Sequence, residues 1–443
     1  MQKMKESGVN WIAKIPSDWS TQRIKYLFSF GKGLPITKAN LIDSGLPVIS
    51  YGQIHSKQNN GTEIKDSLLR YVDWEYKKLY PSCEVFQYDF IFADTSEDYE
   101  GCGNCVYKRD SKIQYAGYHD IVLHSKHKRD NRYLAYLFQT DCWRRQIRET
   151  ASGVKVFSIS QKTISNASVI LPNIDAQRRI ADFLDEKCEQ IDSLTADIQS
   201  QIDSLEEYKK SVITEAVTKG LNPDVEMKDS GIEWIGLIPQ NWNISRLKYN
   251  LSCPMKYGAS ETGVDYSDKL PRYIRITDIT ADNRLKDDGK LSLTFEQAKG
   301  YILNEETVLF ARSGGTVGKT FLYTPDYGLA AFAGYLISGV TDKSKMLSKW
   351  LWYFSLSNAY WEWVIQIFTQ STIQNIGADK YSNLPLTVPD INTQKEIIEH
   401  LDGKCAEVDA IISEKKEQLS TLKEYKKSLI YEYVTGKKEV ATT

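Results

Sequence analysis

The sequence predicts an α+β fold formed by tandem duplication: a globular mixed α/β domain followed by a long helix, present twice, with the two helices pairing as an antiparallel coiled coil. Three observations support this prediction. Motifs recur at a fixed offset, each copy opens with short alternating strand-like runs, and each copy ends in a proline-free segment with a helical apolar stripe. The predicted segments are a first domain at 1–155, a central long-helix spacer at 156–220, a second domain at 221–375 and a C-terminal long-helix spacer at 376–443.

The internal repeat is visible at both ends of each copy. Residues 5–26 recur at 228–249, an offset of 223, and the tryptophans and prolines of this stretch recur with them. Residues 205–211 match 422–428, an offset of 217, and Tyr115–Tyr118 matches Phe332–Tyr335 at the same offset. The second copy is therefore six residues shorter, with the difference between positions 26 and 115 of the first copy.

Local patterns assign the elements within each copy. Residues 46–51 and 273–277 alternate as strands do. Pro172 and Pro389 precede the long segments, and Asp175 and Asn392 are the predicted N-caps of the helices.

The apolar stripe of each long helix predicts the seam of a coiled coil. The predicted a and d positions are Ile180, Leu184, Ile191, Leu194, Ile198, Leu205, Tyr208 and Val212 in the first helix, and Ile397, Leu401, Val408, Ile411, Leu422, Tyr425 and Leu429 in the second. Antiparallel pairing is favoured, because a two-fold relation would make each helix the counterpart of the other. The alternative is that each helix packs separately on its own domain.

Composition restricts the class of protein. The chain has 443 residues and a net charge of −2, and no apolar run approaches the length of a membrane span. Seven scattered cysteines and an N-terminus without an apolar signal segment predict a cytoplasmic protein without disulfides or membrane contact. Residues 173–220 carry −5 and residues 390–436 carry −3, which leaves +6 for the remainder. This division favours DNA on the globular parts and protein along the helices.

Several stretches resemble the specificity (S) subunits of Type I restriction–modification systems. They are the openings at 7–19 and 230–242, the segments 92–98 and 310–319, and the helix entries at 171–180 and 388–397. The helix entries are similar to the family pattern Leu-Pro-Pro-Leu-x-Glu-Gln-x-x-Ile. Both copies retain its Gln and final Ile, whereas the second Pro and the Glu are replaced. The resemblance extends over essentially the whole chain.

The resemblance implies a subunit without catalytic activity of its own. Two target-recognition domains would each read one half of a split double-stranded DNA site, and the coiled coil would set the spacing between the halves. Two methyltransferase (M) subunits, and through them motor–nuclease (R) subunits, would dock on this chain. It implies no cofactor in this chain, since S-adenosylmethionine, ATP and Mg²⁺ would be bound by the partner subunits. Because the two domains diverge between their shared motifs, the DNA site should be asymmetric.

Motifs that would indicate catalysis or metal binding are incomplete. Residues 313–320 end like a phosphate-binding loop but lack its first glycine and a following helix, since 321–325 is typical of a strand and turn. Cys102, Cys105, His119 and His124 have zinc-like spacing. However, 118–124 alternates as a strand, which would point the two histidines to opposite faces. Residues 223–228 contain the residue types of a nuclease Pro-Asp…Glu-x-Lys signature, but its two carboxylates are too close in sequence. No methyltransferase signature is present in the sequence.

DNA recognition is the function for which the sequence offers suitable side chains. Arg, Lys, Asn and Gln read base edges, and basic side chains contact phosphates. The predicted base-reading loops follow a strand in each domain and contain Tyr51, Gln53, His55, Ser56, Lys57, Gln58 and Asn59, and their counterparts Arg275, Thr277, Asp278, Asn283 and Arg284. The predicted phosphate contacts are Lys32, Lys38, Lys256, Arg312, Lys319 and Lys380, with Ser313 beside them in the glycine-rich turn.

Two other functional classes remain open at this point. One is a coiled-coil adaptor that binds only protein and has degenerate domains. The other is a self-contained nuclease or methyltransferase, which the missing cofactor motifs disfavour.

Overall fold

The structure is a computed structural model that describes residues 3–280, 283–369 and 375–440. The chain forms two compact units. Unit 1 comprises Met1–Asp197 and Gln418–Thr443, and unit 2 comprises Ile198–Glu417. Each unit therefore contains a globular domain and a portion of both long helices.

The elements of unit 1 are short, as the strand and turn signals predict. The strands are β1 Met4–Val9, β2 Ile12–Pro16, β3 Ser20–Arg23, β4 Phe28–Lys32, β5 Leu46–Ile49, β6 Arg70–Val72, β7 Phe90–Ala93, β8 Thr95–Ser96, β9 Cys105–Tyr107, β10 Tyr115–Ala116, β11 Asp120–Ser125, β12 Phe157–Ser158 and β13 Ser168–Leu171. The helices are α1 Ile24–Leu27, α2 Tyr51–Ile54, α3 Glu75–Leu79, α4 Arg132–Phe138, α5 Asp141–Arg148 and α6 Gln161–Asn166, with 3₁₀ turns at Lys38–Asn40, Asp66–Leu68 and Pro81–Cys83.

The two long helices follow the domains as predicted. They are α7, Ile174–Lys219, and α11, Ile391–Val434. Their N-caps, however, are Asn173 and Asp390, whose side chains accept backbone N–H groups of the first turns. The prediction of Asp175 and Asn392 was wrong by two residues, because both already lie inside the first turn.

Unit 2 has a corresponding set of elements. Its strands are β14 Met227–Asp229, β15 Leu237–Pro239, β16 Asn243–Arg246, β17 Lys256–Tyr257, β18 Val264–Asp265, β19 Arg272–Ile274, β20 Leu291–Ser292, β21 Ile302–Leu303, β22 Thr307–Ala311, β23 Thr320–Tyr323, β24 Ala330–Phe332, β25 Leu336–Gly339 and β26 Pro385–Val388. The remaining helices are α8 Ser348–Leu356, α9 Asn358–Thr369 and α10 Ala378–Ser382, with 3₁₀ turns at Leu247–Asn250, Ile276–Asp278, Gly314–Thr316 and Pro325–Tyr327.

The sheets of the two units have the same topology, which confirms the duplication. Unit 1 has a four-stranded antiparallel sheet in the order β4-β11-β7-β9, and unit 2 has its counterpart in the order β17-β25-β22-β23. Beside it, β5 pairs in parallel with β10 in unit 1, and β19 pairs in parallel with β24 in unit 2. Aromatic and β-branched residues of these strands, such as Phe90 and Phe310, fill the cores.

Backbone pairing corrects the sequence alignment by one residue. The Gly117 N–H donates to the Ile49 carbonyl in unit 1, and the Ala333 N–H donates to the Ile274 carbonyl in unit 2. Gly117 therefore corresponds to Ala333, an offset of 216 rather than 217. The predicted match of Tyr115–Tyr118 with Phe332–Tyr335 is shifted by one, so His119 corresponds to Tyr335.

Corresponding contacts in the two units join each domain to the beginning of the long helix that follows it. In unit 1 the Tyr136 hydroxyl donates to Asp185 at 2.8 Å, and in unit 2 the Tyr353 hydroxyl donates to Asp402 at 2.7 Å. A cation one turn earlier joins the same carboxylate in each unit, Arg132 at 2.6 Å and Lys349 at 2.7 Å. These half-buried ion pairs orient each helix relative to the domain that precedes it.

The long helices pair antiparallel within each unit, as predicted. In unit 1 the beginning of α7 packs against the end of α11, and the Asp192 carboxylate is 2.6 Å from the Lys426 ammonium. In unit 2 the end of α7 packs against the beginning of α11, and Lys209 is 2.7 Å from Asp409. The two ion pairs occupy corresponding positions of the repeat.

The seam of the coiled coil differs in part from the prediction. One predicted column faces the seam: Leu184, Ile191 and Leu401 are buried, and Leu205 and Leu422 are half-buried. The second column lies one residue further along and contains Cys188, Thr195, Ile202 and Lys209 in α7, and Cys405, Ile412, Leu419 and Lys426 in α11. Four predicted seam residues are instead exposed: Leu194 (47%), Tyr208 (54%), Ile411 (44%) and Tyr425 (55%).

No helix within the described ranges combines the length and hydrophobicity that a bilayer-crossing segment requires.

Candidate nucleic-acid interface

The two predicted base-reading loops occupy equivalent places in the fold. In unit 1, Gln53 at the start of α2 accepts the Ser50 N–H at 3.1 Å. In unit 2, Asp278 accepts the Arg275 N–H at 2.8 Å in the same way. Each loop follows the parallel strand pair, so both lie at the same edge of their domains. This side-chain cap also ends β5 and β19 earlier than the alternating patterns predict, before Ser50 and Arg275.

Three segments meet at this edge, which we call the loop edge. In unit 1 it consists of residues 50–59, 94–96 and 117–119, and in unit 2 of residues 275–280, 283–284, 312–319 and 333–335. The Asp94 N–H donates to the His119 carbonyl, and the Arg312 N–H donates to the Tyr335 carbonyl. The Tyr51 ring contacts the rings of Tyr118 and His119, each at 5.5 Å between centroids.

Some of the predicted base readers in unit 1 bond to the chain itself. Asn59 donates to the carbonyls of Ile54 and Cys105 and accepts the Gly61 N–H. His55 Nε2 donates to the Thr95 carbonyl at 2.8 Å, and Ser56 accepts the Gln58 N–H. These side chains hold the loop in place.

Other predicted base readers in unit 1 face solvent. Lys57 and Gln58 are exposed, and Tyr51 and Gln53 are half-buried. Gln53 uses its amide oxygen for the cap, which leaves the NH₂ group for a ligand.

In unit 2 the predicted base readers divide similarly. The Arg275 guanidinium donates to Asp278 at 2.6 Å and to the Gly289 carbonyl at 2.8 Å. Thr277 and Arg284 are exposed, and Asn283 is half-buried with a φ of 59°. A left-handed conformation suits Asn and is typical of a tight loop tip.

Predicted phosphate contacts in unit 2 lie on segments that meet. The Arg312 guanidinium stacks over the Tyr257 ring at 4.8 Å, next to Lys256. The Tyr257 hydroxyl accepts the Ala378 N–H at the start of α10, which carries Lys380. Ser313 forms a backbone bridge with Asn375, and Lys319 follows the Gly314–Thr316 turn.

Unit 1 has a cleft of about 1390 Å³ beside its loop edge. Eight cationic and five anionic side chains line it, so its charge favours an anionic ligand such as a sugar–phosphate backbone. Lys38 and Lys57 were predicted contacts, whereas Lys32 is exposed outside the lining. The sequence analysis missed the cations of α5 and α11: Arg144, Arg145, Arg148, Lys423, Lys426 and Lys427. The Arg144–Arg148 cluster on one short helix is the signal that could have identified them.

Burial changes the pKa of two charged groups near the loop edge of unit 1. Complete burial raises the pKa of Asp120 well above its usual range, although its carboxylate accepts the Gly117 N–H. Burial also lowers the pKa of Arg144, which donates to Asn104 at 2.5 Å and to the Phe138 carbonyl at 2.8 Å. Both groups are structural supports behind the exposed loop.

The residues with zinc-like spacing are separated by the fold. Cys102 and Cys105 are buried in the hydrophobic core, and His124 Nδ1 is 2.7 Å from Asp89. His119 lies in the turn before β11, not on the strand as predicted. No cluster of three or more metal-binding side chains occurs within the described part of the chain. Gly314–Thr316 is followed by strand β23, as predicted, and not by the helix of a phosphate-binding loop.

Comparison with known proteins identifies the family. The sequence matches the family described as "Type I restriction modification DNA specificity domain" over residues 16–204 and 264–421, which is more than half of the chain. The chain belongs to this family. It is similar to the Type I restriction enzyme StySPI specificity subunit of Salmonella potsdam, with 20% identity over 96% of this chain and 90% of the relative. It is also similar to the EcoBI specificity subunit of Escherichia coli, with 22% identity over 66% of this chain and 62% of the relative.

A solved structure supports the same fold for this specificity-family chain. One chain of a structure on the assembly and conformational transition of the type I R–M system matches it with a TM-score of 0.67 and 17% identity, covering 96% of this chain and 100% of the other. One matched region lies within each copy of the repeat. The chain is therefore a Type I DNA specificity subunit, and no comparison supports the protein-only adaptor.

Proposed function

We propose that each domain reads one half of an asymmetric, bipartite double-stranded DNA site through its loop edge. The proposal depends on the observation that the two loop edges share corresponding backbone hydrogen bonds but carry different side chains. Because equivalent positions hold His119 and Tyr335, or Asp94 and Arg312, the two edges offer different hydrogen-bond patterns to bases. The predicted contacts of both domains belong to this proposal, with the exposed Lys57, Gln58, Thr277 and Arg284 as the leading base readers.

The cleft in unit 1 supports a path for the sugar–phosphate backbone. Lys38, Arg145 and Lys423 line it from three different segments of unit 1. Positive side chains on several walls position a duplex without reading its sequence. In unit 2, Lys256, Lys319 and Lys380 have the corresponding role.

We further propose that the long helices dock two methyltransferase subunits. Each unit exposes one aliphatic residue and one tyrosine at corresponding positions of the repeat: Leu194 and Tyr425 in unit 1, and Ile411 and Tyr208 in unit 2. Large apolar side chains that are exposed at the same place in both copies of the repeat would offer a partner two equivalent apolar contacts. Two equivalent surfaces fit two copies of one partner, which would carry S-adenosylmethionine. Motor–nuclease subunits with ATP and Mg²⁺ would join through them, and this chain would be non-catalytic.

The proposed function is tested with the chain co-expressed with the methyltransferase subunits of its own system. Long-read sequencing of methylated DNA, with and without this chain, should show one bipartite motif that depends on the chain. Exchanging residues 1–155 for those of another family member should change one half of the motif only. Changes in both halves, or methyl transfer by the isolated chain, would contradict the proposal.

DNA retention by the purified complex provides a second measurement. Retention should be sequence-selective and should weaken steeply with salt, because phosphate contacts release counterions. Binding that is insensitive to both sequence and salt would instead favour the adaptor class.

A further inference from the structure

The turn before β11 in unit 1 and the turn before β25 in unit 2 each present one exposed ring at the loop edge. These rings are His119 and Tyr335, which the backbone hydrogen bonds place at equivalent positions. The His119 side chain is 56% exposed, and Tyr335 is 61% exposed. Neither residue was among the sequence-predicted contacts.

His119 is held in a constrained conformation. Its φ is +59°, which is uncommon for a residue other than glycine and is enriched at functional sites. Its ring lies 5.5 Å from that of Tyr51 and 5.9 Å from that of Tyr118, in edge-to-face arrangements. The aromatic contacts restrict the ring although one side remains in solvent.

Hydrogen bonds also determine which nitrogen of His119 carries the proton. Nδ1 is 3.1 Å from the Asp94 carboxylate and 3.3 Å from the Thr95 hydroxyl. The Thr95 hydroxyl donates to Asp94, so both neighbours accept from Nδ1–H. In the neutral ring Nε2 is then a hydrogen-bond acceptor, and it has no protein partner within the described residues. Such an acceptor suits the exocyclic amino group of adenine or cytosine.

A chain of hydrogen bonds supports this turn from the interior. The Thr95 carbonyl accepts His55 Nε2 at 2.8 Å, and His55 Nδ1 accepts the Asn104 amide at 3.0 Å. Asn104 in turn accepts from the half-buried Arg144 at 2.5 Å. The segment that orients His119 is therefore fixed by helix α5.

Unit 2 places donors where unit 1 places acceptors. Arg312 replaces Asp94; its guanidinium lies over the Tyr257 ring, and its backbone N–H donates to the Tyr335 carbonyl. The Arg312 Nε is buried without a hydrogen-bond partner in the described part of the chain. An Arg fork is the group that most often reads guanine.

We propose that His119 with Asp94, and Tyr335 with Arg312, are the equivalent specificity-determining pairs of the two domains. His119 reads an amino group of adenine or cytosine in one half-site, with Asp94 as its positioning residue. Arg312 and Tyr335 read a guanine in the other half-site, so Arg312 contacts a base and not only a phosphate. This inference rests on the proposed function and identifies the residues that make the site asymmetric.

The test uses the co-expressed complex and mapping of methylated motifs. His119→Gly removes the ring without strain, because glycine accepts a positive φ, and Tyr335→Phe removes only the hydroxyl. Each variant should relax one base pair of one half-site, by about ten- to a hundredfold in discrimination, and leave the other half-site unchanged. His127→Gly and Tyr249→Phe are matched controls, since both residues are exposed away from the loop edge, and they should leave the motif intact.

Two outcomes separate this inference from the proposed function. If the unsubstituted complex methylates one bipartite motif and both loop-edge variants keep it unchanged, the inference is wrong and the proposed function stands. If the unsubstituted complex shows no sequence selectivity, the proposed function fails with it. Asp94→Asn should also relax the half-site read by His119, because an amide can donate to Nδ1 and so reverse the tautomer. An unchanged motif in Asp94→Asn would overturn the positioning role.

Discussion

Lys108 is a buried cation in unit 1 with a side chain only 2% exposed, and its ammonium pairs with Asp110. Burial, together with repulsion by Lys112, lowers the pKa of Lys108 to about 8. An unfolded lysine has a pKa of about 10.4. Between these values the unfolded chain binds more protons than the folded one, so the free energy of unfolding rises with pH. Below pH 8 both states are protonated and the full cost of burying the charge applies.

Lys108→Met should therefore stabilise the protein at neutral pH. The difference in pKa corresponds to an upper limit of about 3 kcal/mol, and we expect a gain of about 1 to 3 kcal/mol at pH 7. The gain should shrink as the pH rises to 10, because the folded lysine is then already neutral and its burial no longer costs a charge. Urea unfolding at pH 7 and pH 10 measures the difference, with Lys155→Met, an exposed substitution, as control. Equal destabilisation at both pH values would mean that the packing of the lysine, and not its charge, determines its effect on the free energy of unfolding.

Gln177 and Gln394 lie in the first turns of the two long helices, and each donates a hydrogen bond to the proline carbonyl that precedes its helix. Gln394 is fully buried; it accepts the Leu347 N–H and donates to the carbonyls of Lys345 and Pro389, each at 2.9 Å. Gln177 is also buried and donates to the Pro172 carbonyl at 2.8 Å. The glutamine of the helix-entry pattern therefore has the same structural role in both copies, since it binds the carbonyl that precedes the helix.

The two glutamines should differ in their contribution to stability. Gln394→Ala leaves several buried groups unpaired and should cost about 2 to 4 kcal/mol, whereas Gln177→Ala should cost about 1 to 2 kcal/mol. Urea unfolding of both variants measures the difference. Gln190→Ala, at an exposed position of α7, should change stability by less than about 0.5 kcal/mol. A larger loss for Gln177→Ala than for Gln394→Ala would contradict this interpretation.

The sequence revealed the long helices but only part of their seam. The repeat and the apolar period predicted both helices and their antiparallel pairing, since these signals extend over many residues. Leu194 and Tyr208 were wrongly placed in the seam, because the prediction assumed that apolar residues face the partner helix. The seam instead contains Lys209 and Lys426, whose ion pairs with Asp409 and Asp192 cannot be recognised without the pairing.

At the loop edge, too, the sequence could not show contacts between distant segments. The two loops could be predicted as counterparts, because each follows a strand and concentrates polar side chains. The bonds of His55 to Thr95 and of Asn59 to Cys105 join segments 40 and 46 residues apart, and local sequence does not reveal them. His119 was judged by its strand pattern, whereas it lies in a left-handed turn. Long-range contacts therefore separate the supporting residues from the exposed ones.

At the scale of the whole molecule, the exposed pairs on the helices predict the composition of the complex. Leu194→Lys with Tyr425→Lys should remove one methyltransferase subunit, because a charged surface replaces the apolar contact in one unit. Native mass spectrometry should then detect one methyltransferase subunit per chain in place of two. Leu79→Lys, at a residue that is 59% exposed in domain one, is the control. Retention of both methyltransferase subunits by the double variant would place docking elsewhere.

The length of the paired helices should set the number of base pairs between the half-sites. Seven residues added to α7 after Asp197 and seven added to α11 after Glu417 preserve the heptad positions and lengthen each helix by about 10 Å. At 3.4 Å per base pair, the spacer of the methylated motif should grow by about three base pairs while both half-sites stay the same. The same insertion after Asn222, beyond the end of α7, should leave the spacer unchanged. Because only the helical insertion changes a rigid element, an unaltered spacer in that variant would exclude the helices as the measure of distance.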